Sequence, residues 1–434
     1  MLRATASNRR IVLWNAAGSA VYALSSFLLL IIVIRTCGEV EGGVFSIGYA
    51  IAQLMLTVGV FESTTYFATD AGNRFTYAQY LAFKIATCAL MVAASIGYVL
   101  SFGFDAHKAA VAYALCAFRL FEALAQYWFA AFQKEERLDL GGFSTVWRSV
   151  LSIAAFAGVL AAFRDVVAGM VAASLVEAVW IACYDVPRLR RIVRIGRPDF
   201  SPKPLARLFL ACLPLFVSSF LATYLGNVSK YAIESVGTEQ MQTVFNILFM
   251  PSFVINLFMI FLMRPTLTRL AKLWLAHKAK PFMRIIAILL AAVAGITVAV
   301  VGACALVGIP LLELLYGVSL DGYAAPLLIV LLGGGFLSAS NVFYNAMVVI
   351  RTQNAVVVGY LAAIAVAVLV SVPLVETAGV AGASIAYALA CLVLALCFAA
   401  LFAWGATRHM RRWEPAANAA SEPEASDPEA TAEK

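Results

Sequence analysis

The sequence is poor in charged residues and in histidine. Only 13% of its 434 residues are charged and only three are histidines, at positions 107, 277 and 409, whereas about a quarter of the residues in soluble domains are charged. Scattered histidines favour neither a zinc site nor a histidine-based catalytic centre. The eight cysteines include no Cys-x-x-Cys pair and lie mostly in apolar segments, which is typical of packing residues. We therefore expect no metal site, no cofactor and no enzymatic activity.

Hydrophobic residues, by contrast, make up 63% of the chain, and the mean hydropathy is +0.90. These values indicate a polytopic membrane protein. The net charge of +7 and the pI near 9.0 do not predict a nucleic-acid partner, because the basic residues stand in loops at the ends of apolar runs. We interpret them as topology signals and as contacts to anionic lipid head groups.

Long apolar runs predict twelve membrane-spanning helices, since about 20 apolar residues are needed to cross the hydrocarbon core. In the first half the spans lie near 12 to 34, 42 to 63, 80 to 102, 109 to 132, 144 to 163 and 166 to 185. In the second half they lie near 208 to 230, 242 to 263, 284 to 308, 322 to 350, 355 to 375 and 379 to 404. The fold class that follows is an all-α polytopic membrane protein.

A basic segment at 186–207 separates the two halves. It contains seven basic residues and four prolines, so we expect neither flanking helix to continue through it unbroken: Arg188, Arg190, Arg191, Arg194, Arg197, Lys203 and Arg207, with Pro187, Pro198, Pro202 and Pro204. Alternate loops are rich in Lys and Arg, and the remaining ones hold few. This alternation predicts a cytoplasmic hinge and cytoplasmic N- and C-termini.

These signals divide the chain into four parts. Residues 1–185 form a first six-helix lobe, 186–207 the hinge, and 208–405 a second six-helix lobe. Residues 406–434 form a cytoplasmic tail that is largely acidic, rich in alanine and proline, and expected to be disordered. Residues 19–47 and 218–247 also resemble each other at a shift of about 200 positions, which predicts lobes related by an axis along the membrane normal.

Charged residues deep in a span are costly, so those that persist tend to face a partner or a cavity. Arg119 and Glu122 share one face of span four, with Gln126 a turn beyond, and Glu177 lies midway along span six. One interpretation is a structural clamp in which Glu122 or Glu177 neutralises Arg119. The other is that the cluster faces the central cavity and handles a phosphate or a coupling proton. Glu62, near the cytoplasmic end of span two, is shallower: it either extends to water without a functional role or is a further candidate for the cavity.

The spans of the second half carry amides and tyrosines instead of deep charges. The main candidates for lining a lumen are Tyr224 and Asn227 near Lys230 in span seven, and Asn341 and Asn345 in span ten; Asn246, Asn256 and Tyr344 accompany them. Asn341 and Asn345 are four residues apart and share a helix face. Amides bridge helices as packing contacts, and they also hydrogen-bond sugar hydroxyls. Both roles remain open from the sequence.

Three segments resemble a known family. Residues 9–54 (RRIVLWNAAGSAVYALSSFLLLIIVIRTCGEVEGGVFSIGYAIAQL), residues 213–258 (LPLFVSSFLATYLGNVSKYAIESVGTEQMQTVFNILFMPSFVINLF) and residues 375–390 (VETAGVAGASIAYALA) are similar to polysaccharide-unit flippases of the multidrug/oligosaccharidyl-lipid/polysaccharide exporter superfamily. The resemblance covers residues 1 to about 405 and implies two six-helix lobes around a central cavity that opens alternately to each side. It also implies that spans one, two, seven and eight line the lumen, and that Lys230 matches a basic lumen position.

The resemblance implies a flippase that moves undecaprenyl-pyrophosphate-linked oligosaccharide units from the cytoplasmic to the outer leaflet of a bacterial inner membrane, for surface polysaccharide biosynthesis. Its partners would then be the lipid-linked oligosaccharide, membrane lipids, and a glycan polymerase or glycosyltransferases. The alternative is a cation-coupled multidrug exporter of the same fold, for which Glu122 and Glu177 could serve. A polytopic glycan polymerase or ligase fits less well, because the loops opposite the hinge are short and contain His107 as their only histidine.

Overall fold

The computed structural model describes residues 8–70, 72–352 and 355–419, and all regular structure in this part of the chain is helical. The first half contains α1 (Asn8–Cys37), α2 (Glu39–Val60), α3 (Ser63–Thr69), α4 (Tyr77–Phe102), α5 (Ala106–Lys134), α6 (Leu138–Phe163), α7 (Val166–Trp180), a π-helical turn (Ile181–Asp185) and α8 (Val186–Arg190). The second half contains α9 (Pro202–Val236), α10 (Glu239–Phe249), α11 (Ser252–Leu275), α12 (Ala279–Tyr316), α13 (Ala324–Val349) and α14 (Val356–Ala419).

Within the described residues, eleven helical stretches are long and apolar enough to cross a membrane, and α14 contains two spans. The backbone of α14 leaves the helical region at Gly379, with φ 56° and ψ −128°, and Gly382 lies against the carbonyl of Leu374. The rings of Tyr360 and Phe398 pack 5.2 Å apart on either side of this turn. The helix therefore folds back on itself as two arms, and the predicted twelve spans in two lobes are confirmed.

The second span is interrupted rather than continuous. α2 ends at Val60, the next two residues, Phe61 and Glu62, have positive φ, 47° and 50°, and α3 begins at Ser63. The carbonyl groups freed at this break accept hydrogen bonds from the ammonium of Lys84 on α4, at 3.0 Å from Gly59 and 3.1 Å from Val60. Lys84 is only 1% exposed. The sequence analysis did not identify this buried lysine, although it falls within the predicted third span.

The segment between the halves is shorter than the sequence predicts. The sixth span continues through the π-helical turn into α8 as far as Arg190, and α9 begins at Pro202, so the non-helical linker covers 191–201. It packs on α4, where the backbone N–H of Asp199 donates to the carbonyl of Ala78 at 3.1 Å. At the other extreme of the chain, α14 remains helical to Ala419. The tail predicted to be disordered, 406–434, is therefore helical over 406–419, and its remaining part, 420–434, lies outside the described residues.

The internal repeat predicted from the sequence corresponds to equivalent helices in the two lobes. α2 begins at Glu39 and α10 at Glu239, 200 positions later. These two helices pack together, and the amide of Asn246 donates to the hydroxyl of Ser46 at 2.7 Å. Residues 46 and 246 are also 200 positions apart, so the contact joins equivalent positions. The helices approach closely because Gly43 lies directly against the backbone of Glu239.

We call the end of the bundle that carries the linker 191–201 the hinge end, and the opposite end the far end. The lobes are joined at the far end by ion pairs and hydrogen bonds. The ammonium of Lys108 on α5 bridges Glu234 and Glu239 of the second lobe, with 2.8 Å to Glu239. The guanidinium of Arg35, near the end of α1, donates to the carbonyl of Leu315 at 3.1 Å. These contacts hold the two lobes together at the far end.

At the hinge end the lobes meet along α9. The ring of Phe61, at the break after α2, stacks on Phe216 with the centroids 4.2 Å apart, and Cys212 is fully buried in the same cluster. α1 reaches the second lobe through Phe27, against Phe253, and through Arg35, both in the half of the helix that ends at Cys37. α9 thus contacts the first lobe at the hinge end, whereas α1 contacts the second lobe nearer the far end.

We predict that Gly43→Val forces the far end open, because a Cβ at this position would overlap the backbone of Glu239. Spin labels on the exposed residues Val40 and Val236 report the distance between the lobes. That distance should increase in the variant. The matched control is Gly97→Val, since nothing lies within 4 Å of a Cβ on Gly97. An unchanged distance in Gly43→Val would show that this contact does not set the closure.

Candidate functional site

Five helices of the first lobe bring a group of polar and charged side chains together around a small cavity. The cavity has a volume of about 20 Å³, which is room for one water molecule. We define the first-lobe cluster as Tyr22 of α1, Tyr49 of α2, Arg119 and Glu122 of α5, Arg148 of α6 and Glu177 of α7. All four charged members are at least nine-tenths buried.

The first ion pair of the cluster lies on α5. Arg119 and Glu122 are one helical turn apart, and the guanidinium bonds the carboxylate directly. The guanidinium also donates to the hydroxyl of Tyr49 and lies 4.5 Å from the centre of its ring. The hydroxyl of Tyr22 donates to the second carboxylate oxygen of Glu122. Each charge is therefore satisfied by partners from α1, α2 and α5, which ties these three helices together.

The second ion pair joins α6 to α7. The Nε of Arg148 lies 3.4 Å from a carboxylate oxygen of Glu177, and the hydroxyl of Ser152 donates to the other oxygen at 3.4 Å. Glu177 thus forms an ion pair with Arg148, whereas Glu122 is the carboxylate that neutralises Arg119. The sequence analysis missed Arg148. The signal was present, because this residue is a single arginine inside the predicted span 144 to 163 and is subject to the same membrane cost as Arg119.

A second cavity of about 130 Å³ adjoins the first and shares Tyr22 and Arg148 with it. Gln126 and Thr145 add polar groups to its wall. The helices α1 and α6 pack closely beside it because Gly142 lies against the backbone of Trp14. The first-lobe cluster is therefore the inner end of a longer polar space inside the lobe.

The second-lobe candidates from the sequence form a looser set. The amide of Asn341 lies 3.5 Å from the side-chain oxygen of Asn256 and so joins α13 to α11. Asn345 and Asn227 each donate to a carbonyl of their own helix, at 2.7 and 2.9 Å, and the ring of Tyr224 packs 5.5 Å from Tyr231. These side chains are half-buried, and whether they line a lumen stays a prediction.

Lys230 is buried in the second lobe, with its ammonium 5.0 Å from the centre of the Phe249 ring on α10. In residues 8–70, 72–352 and 355–419, no carboxylate forms an ion pair with it. A buried ammonium held by an aromatic face alone keeps most of its charge unneutralised. Lys230 is therefore available to attract an anion, in contrast to the arginines of the first lobe.

Glu62 stands at the break between α2 and α3, at the hinge end, and is half-buried. Its carboxylate acts electrostatically on Lys84 of α4, on Cys212 of α9 and on Tyr344 of α13. Groups of both lobes thus surround this carboxylate. Glu62 therefore lies between the two lobes at the hinge end.

Comparisons with known proteins identify the fold. No protein-family model and no curated protein matches the chain. Its structure is similar to an inward-facing conformation of a multidrug resistance MATE family transporter of the MOP superfamily, with TM-score 0.66 and 16% identity over 90% of this chain and 96% of that chain. An outward-facing conformation of such a transporter gives TM-score 0.60 and 16% identity over 93% of this chain and 96% of that one.

A third similar structure is a MOP superfamily transporter from Pyrococcus furiosus, for which a reverse polarity of the binding pocket was taken to suggest a different function. Its TM-score is 0.60 and its identity 16%, over 92% of this chain and 94% of that chain. At these identities the likeness establishes the fold alone. The chain is a polytopic membrane protein with the two-lobe fold of MATE transporters.

We predict that Glu122→Gln destabilises the protein by about 3 kcal/mol, because it leaves the buried guanidinium of Arg119 without its counter-charge. The double variant Arg119→Met with Glu122→Gln should recover most of this loss, since it removes the unpaired charge as well. Thermal unfolding in detergent measures both effects. Glu136→Gln, at an exposed position just beyond α5, is the matched control. If the double variant were less stable than the single one, the pair would not be the source of the effect.

Proposed function

We propose that the protein is a cation-coupled exporter that works by alternating access between its two lobes, with the first-lobe cluster as the coupling site. The observation that carries this proposal is the pair of deeply buried carboxylates, Glu122 and Glu177, beside a water-sized cavity in one lobe. Protonation of either carboxylate removes the counter-charge of an arginine. The two carboxylates and the side chains bonded to them lie on α1, α5, α6 and α7. A change of protonation therefore alters how these four helices pack.

Tyr22 is the element that links protonation to the movement of a helix. It belongs to α1, which packs along α6 and reaches the second lobe near its end. When Glu122 is ionised, its carboxylate accepts a charge-assisted hydrogen bond from the hydroxyl of Tyr22; when Glu122 is protonated, this bond loses the charge that strengthens it. A proton on Glu122 therefore loosens α1 from α5. Since α1 borders the cleft, this change is transmitted to the path of the cargo.

The conformation fits the state that receives cargo from the cytoplasm. The lobes are joined at the far end through Lys108 and Arg35, and the basic residues that favour the cytoplasm lie at the hinge end. The cleft then opens toward the cytoplasm, with both termini on that side. The higher TM-score with the inward-facing conformation agrees with this orientation.

For the cargo, amphipathic organic cations are the leading class. Glu62 offers a carboxylate between the lobes at the hinge end, and Tyr344 provides an aromatic surface beside it. The similar structures include multidrug resistance transporters. Export needs no covalent chemistry, and we assign no catalytic residue.

A second candidate function is the flipping of undecaprenyl-pyrophosphate-linked oligosaccharides across a bacterial inner membrane. Lys230 favours it, because an ammonium without a carboxylate partner suits a pyrophosphate, and the amides of Asn341 and Asn256 suit sugar hydroxyls. Apolar side chains exposed on α1 and α11, such as Leu28 and Phe258, would face the lipid tail. The partners would then be the glycosyltransferases and polymerase that make and use such units.

We predict that cells lacking the protein become more sensitive to cationic dyes and that wild type restores resistance. Glu177→Gln and Glu122→Gln should fail to restore it, because either change removes a proton-binding carboxylate. Lys230→Ala should restore it fully, since a cationic cargo gains nothing from that ammonium. The matched control is Asp321→Asn, in an exposed loop at the far end.

The same cells distinguish the two functions. Lipid-linked sugar units that accumulate on the cytoplasmic leaflet, with normal dye sensitivity and loss of complementation by Lys230→Ala, would replace the exporter with the flippase. If neither dye sensitivity nor lipid-linked sugars change, both proposals are wrong.

A further inference from the structure

The π-helical turn Ile181–Asp185 brings one more carboxylate into the interior of the first lobe. Asp185 is 2% exposed, whereas Cys183, two residues earlier, is exposed. In a regular α-helix, residues 177 and 185 would point about 80° apart around the axis. The wider turn winds less per residue and so brings Asp185 toward the face that carries Glu177. A π-turn of this kind is often found where a side chain has a specific role.

Arg148 lies between these two carboxylates. Its Nε is 3.4 Å from Glu177, and Asp185 is close enough to act on it electrostatically. Four buried atoms of these three side chains have no hydrogen-bond partner in the described part of the chain: the Nε and Nη1 of Arg148, one carboxylate oxygen of Glu177 and the Oδ1 of Asp185. Ser144, one turn before Arg148 on α6, is adjacent to Asp185 and accepts a bond from the indole of Trp180 at 3.0 Å.

The charges of the enlarged cluster do not balance without a proton. Two guanidinium groups, Arg119 and Arg148, face three carboxylates, Glu122, Glu177 and Asp185, and all five side chains are buried. Glu122 forms an ion pair with Arg119. Arg148 is therefore the one guanidinium of the cluster that can neutralise Glu177 or Asp185. An uncompensated carboxylate inside a membrane protein is strongly unfavourable, and it is relieved by binding a proton.

We propose that Arg148 is shared between Glu177 and Asp185, so that these two carboxylates hold one proton between them and relay it along the first lobe. In the present structure the guanidinium of Arg148 is paired with Glu177. Asp185 is then the carboxylate without a counter-charge, and it holds the proton. When the proton moves, the O–H bond of Asp185 breaks, an O–H bond forms on Glu177, and the guanidinium, which keeps its own protons, moves to Asp185.

The relay needs water, since eight residues separate the two carboxylates by about 12 Å along the helix. Arg148 lines both the cavity of about 20 Å³ and the adjoining one of about 130 Å³, and the latter has room for several water molecules. Asp185 lies where the span leads into α8, at the hinge end. Asp185 is therefore the proton-binding carboxylate nearer the cytoplasm. This assignment rests on the coupling function proposed above.

We predict that infrared spectra of the detergent-purified protein near neutral pH contain a protonated carboxyl band. The band should shift when all aspartates carry a ¹³C carboxyl, which identifies it as aspartate without any mutation. It should be lost in Asp185→Asn and move in Asp185→Glu. Asp165→Asn, which replaces the exposed cap of α7, is the matched control and should retain the band.

Transport supplies the second readout. Asp185→Asn should flatten the pH dependence of transport or move its midpoint by about one pH unit or more, and Asp185→Glu should restore it. A merely structural role would lower the rate and leave the midpoint in place. The infrared test needs no substrate, so it stays decisive if the cargo differs from the one proposed. A wild-type band that ignores aspartate labelling, or no band at all, overturns the relay.

Discussion

The cost of a charge inside the bilayer governs the organisation of the first lobe. Arg119 and Arg148 persist in apolar spans only because Glu122 and Glu177 neutralise them. The first pair lies on α5 and is held by tyrosines of α1 and α2, and the second joins α6 to α7, so these interactions influence how the five helices pack. The same constraint makes the lobe sensitive to protons, because adding one to a carboxylate leaves a guanidinium in the membrane without its partner. Stability of the lobe and its response to protons thus have one physical origin.

The two lobes share a fold but differ in chemistry. Their equivalent helices meet through Ser46 and Asn246, which are related by the sequence repeat. The first lobe contains paired charges and a polar cavity, whereas the second contains amides and the unneutralised Lys230. This difference assigns separate tasks to the two halves of the proposed transporter. In the proposed cycle, the first lobe would bind the coupling ion, and the second would contribute most of the polar groups available to the cargo.

Much of the fold follows from the sequence, because span length and charge alternation are direct consequences of the bilayer. The twelve spans and two lobes were predictable on that basis, and the i, i+3 spacing of Arg119 and Glu122 placed them on one face. The true length of the linker was not predictable, because a proline can begin a helix as well as end one. Pro187 and Pro202 both stand at the start of a helix. Lys84 and Arg148 were visible in the sequence, but each stands alone in its span, and only the fold reveals its partner.

Other features depend on tertiary structure and have no local sequence signal. The π-helical turn that directs Asp185 inward is of this kind, as is the break after α2 that Lys84 stabilises. The cargo is also not encoded by a short motif, because Glu62 favours a cation and Lys230 an anion. Comparison by fold does not decide between them, since MOP superfamily members of the same architecture differ in the polarity of their pockets.

In the proposed mechanism, protons bound by the first lobe drive transport. The most direct measurement is the uptake of a labelled organic cation into proteoliposomes under an imposed pH gradient, with the membrane potential held at zero. We predict uptake that follows the gradient in wild type and is absent in Glu177→Gln. Uptake that ignores the pH gradient, or that Glu177→Gln supports as well as wild type, would contradict it.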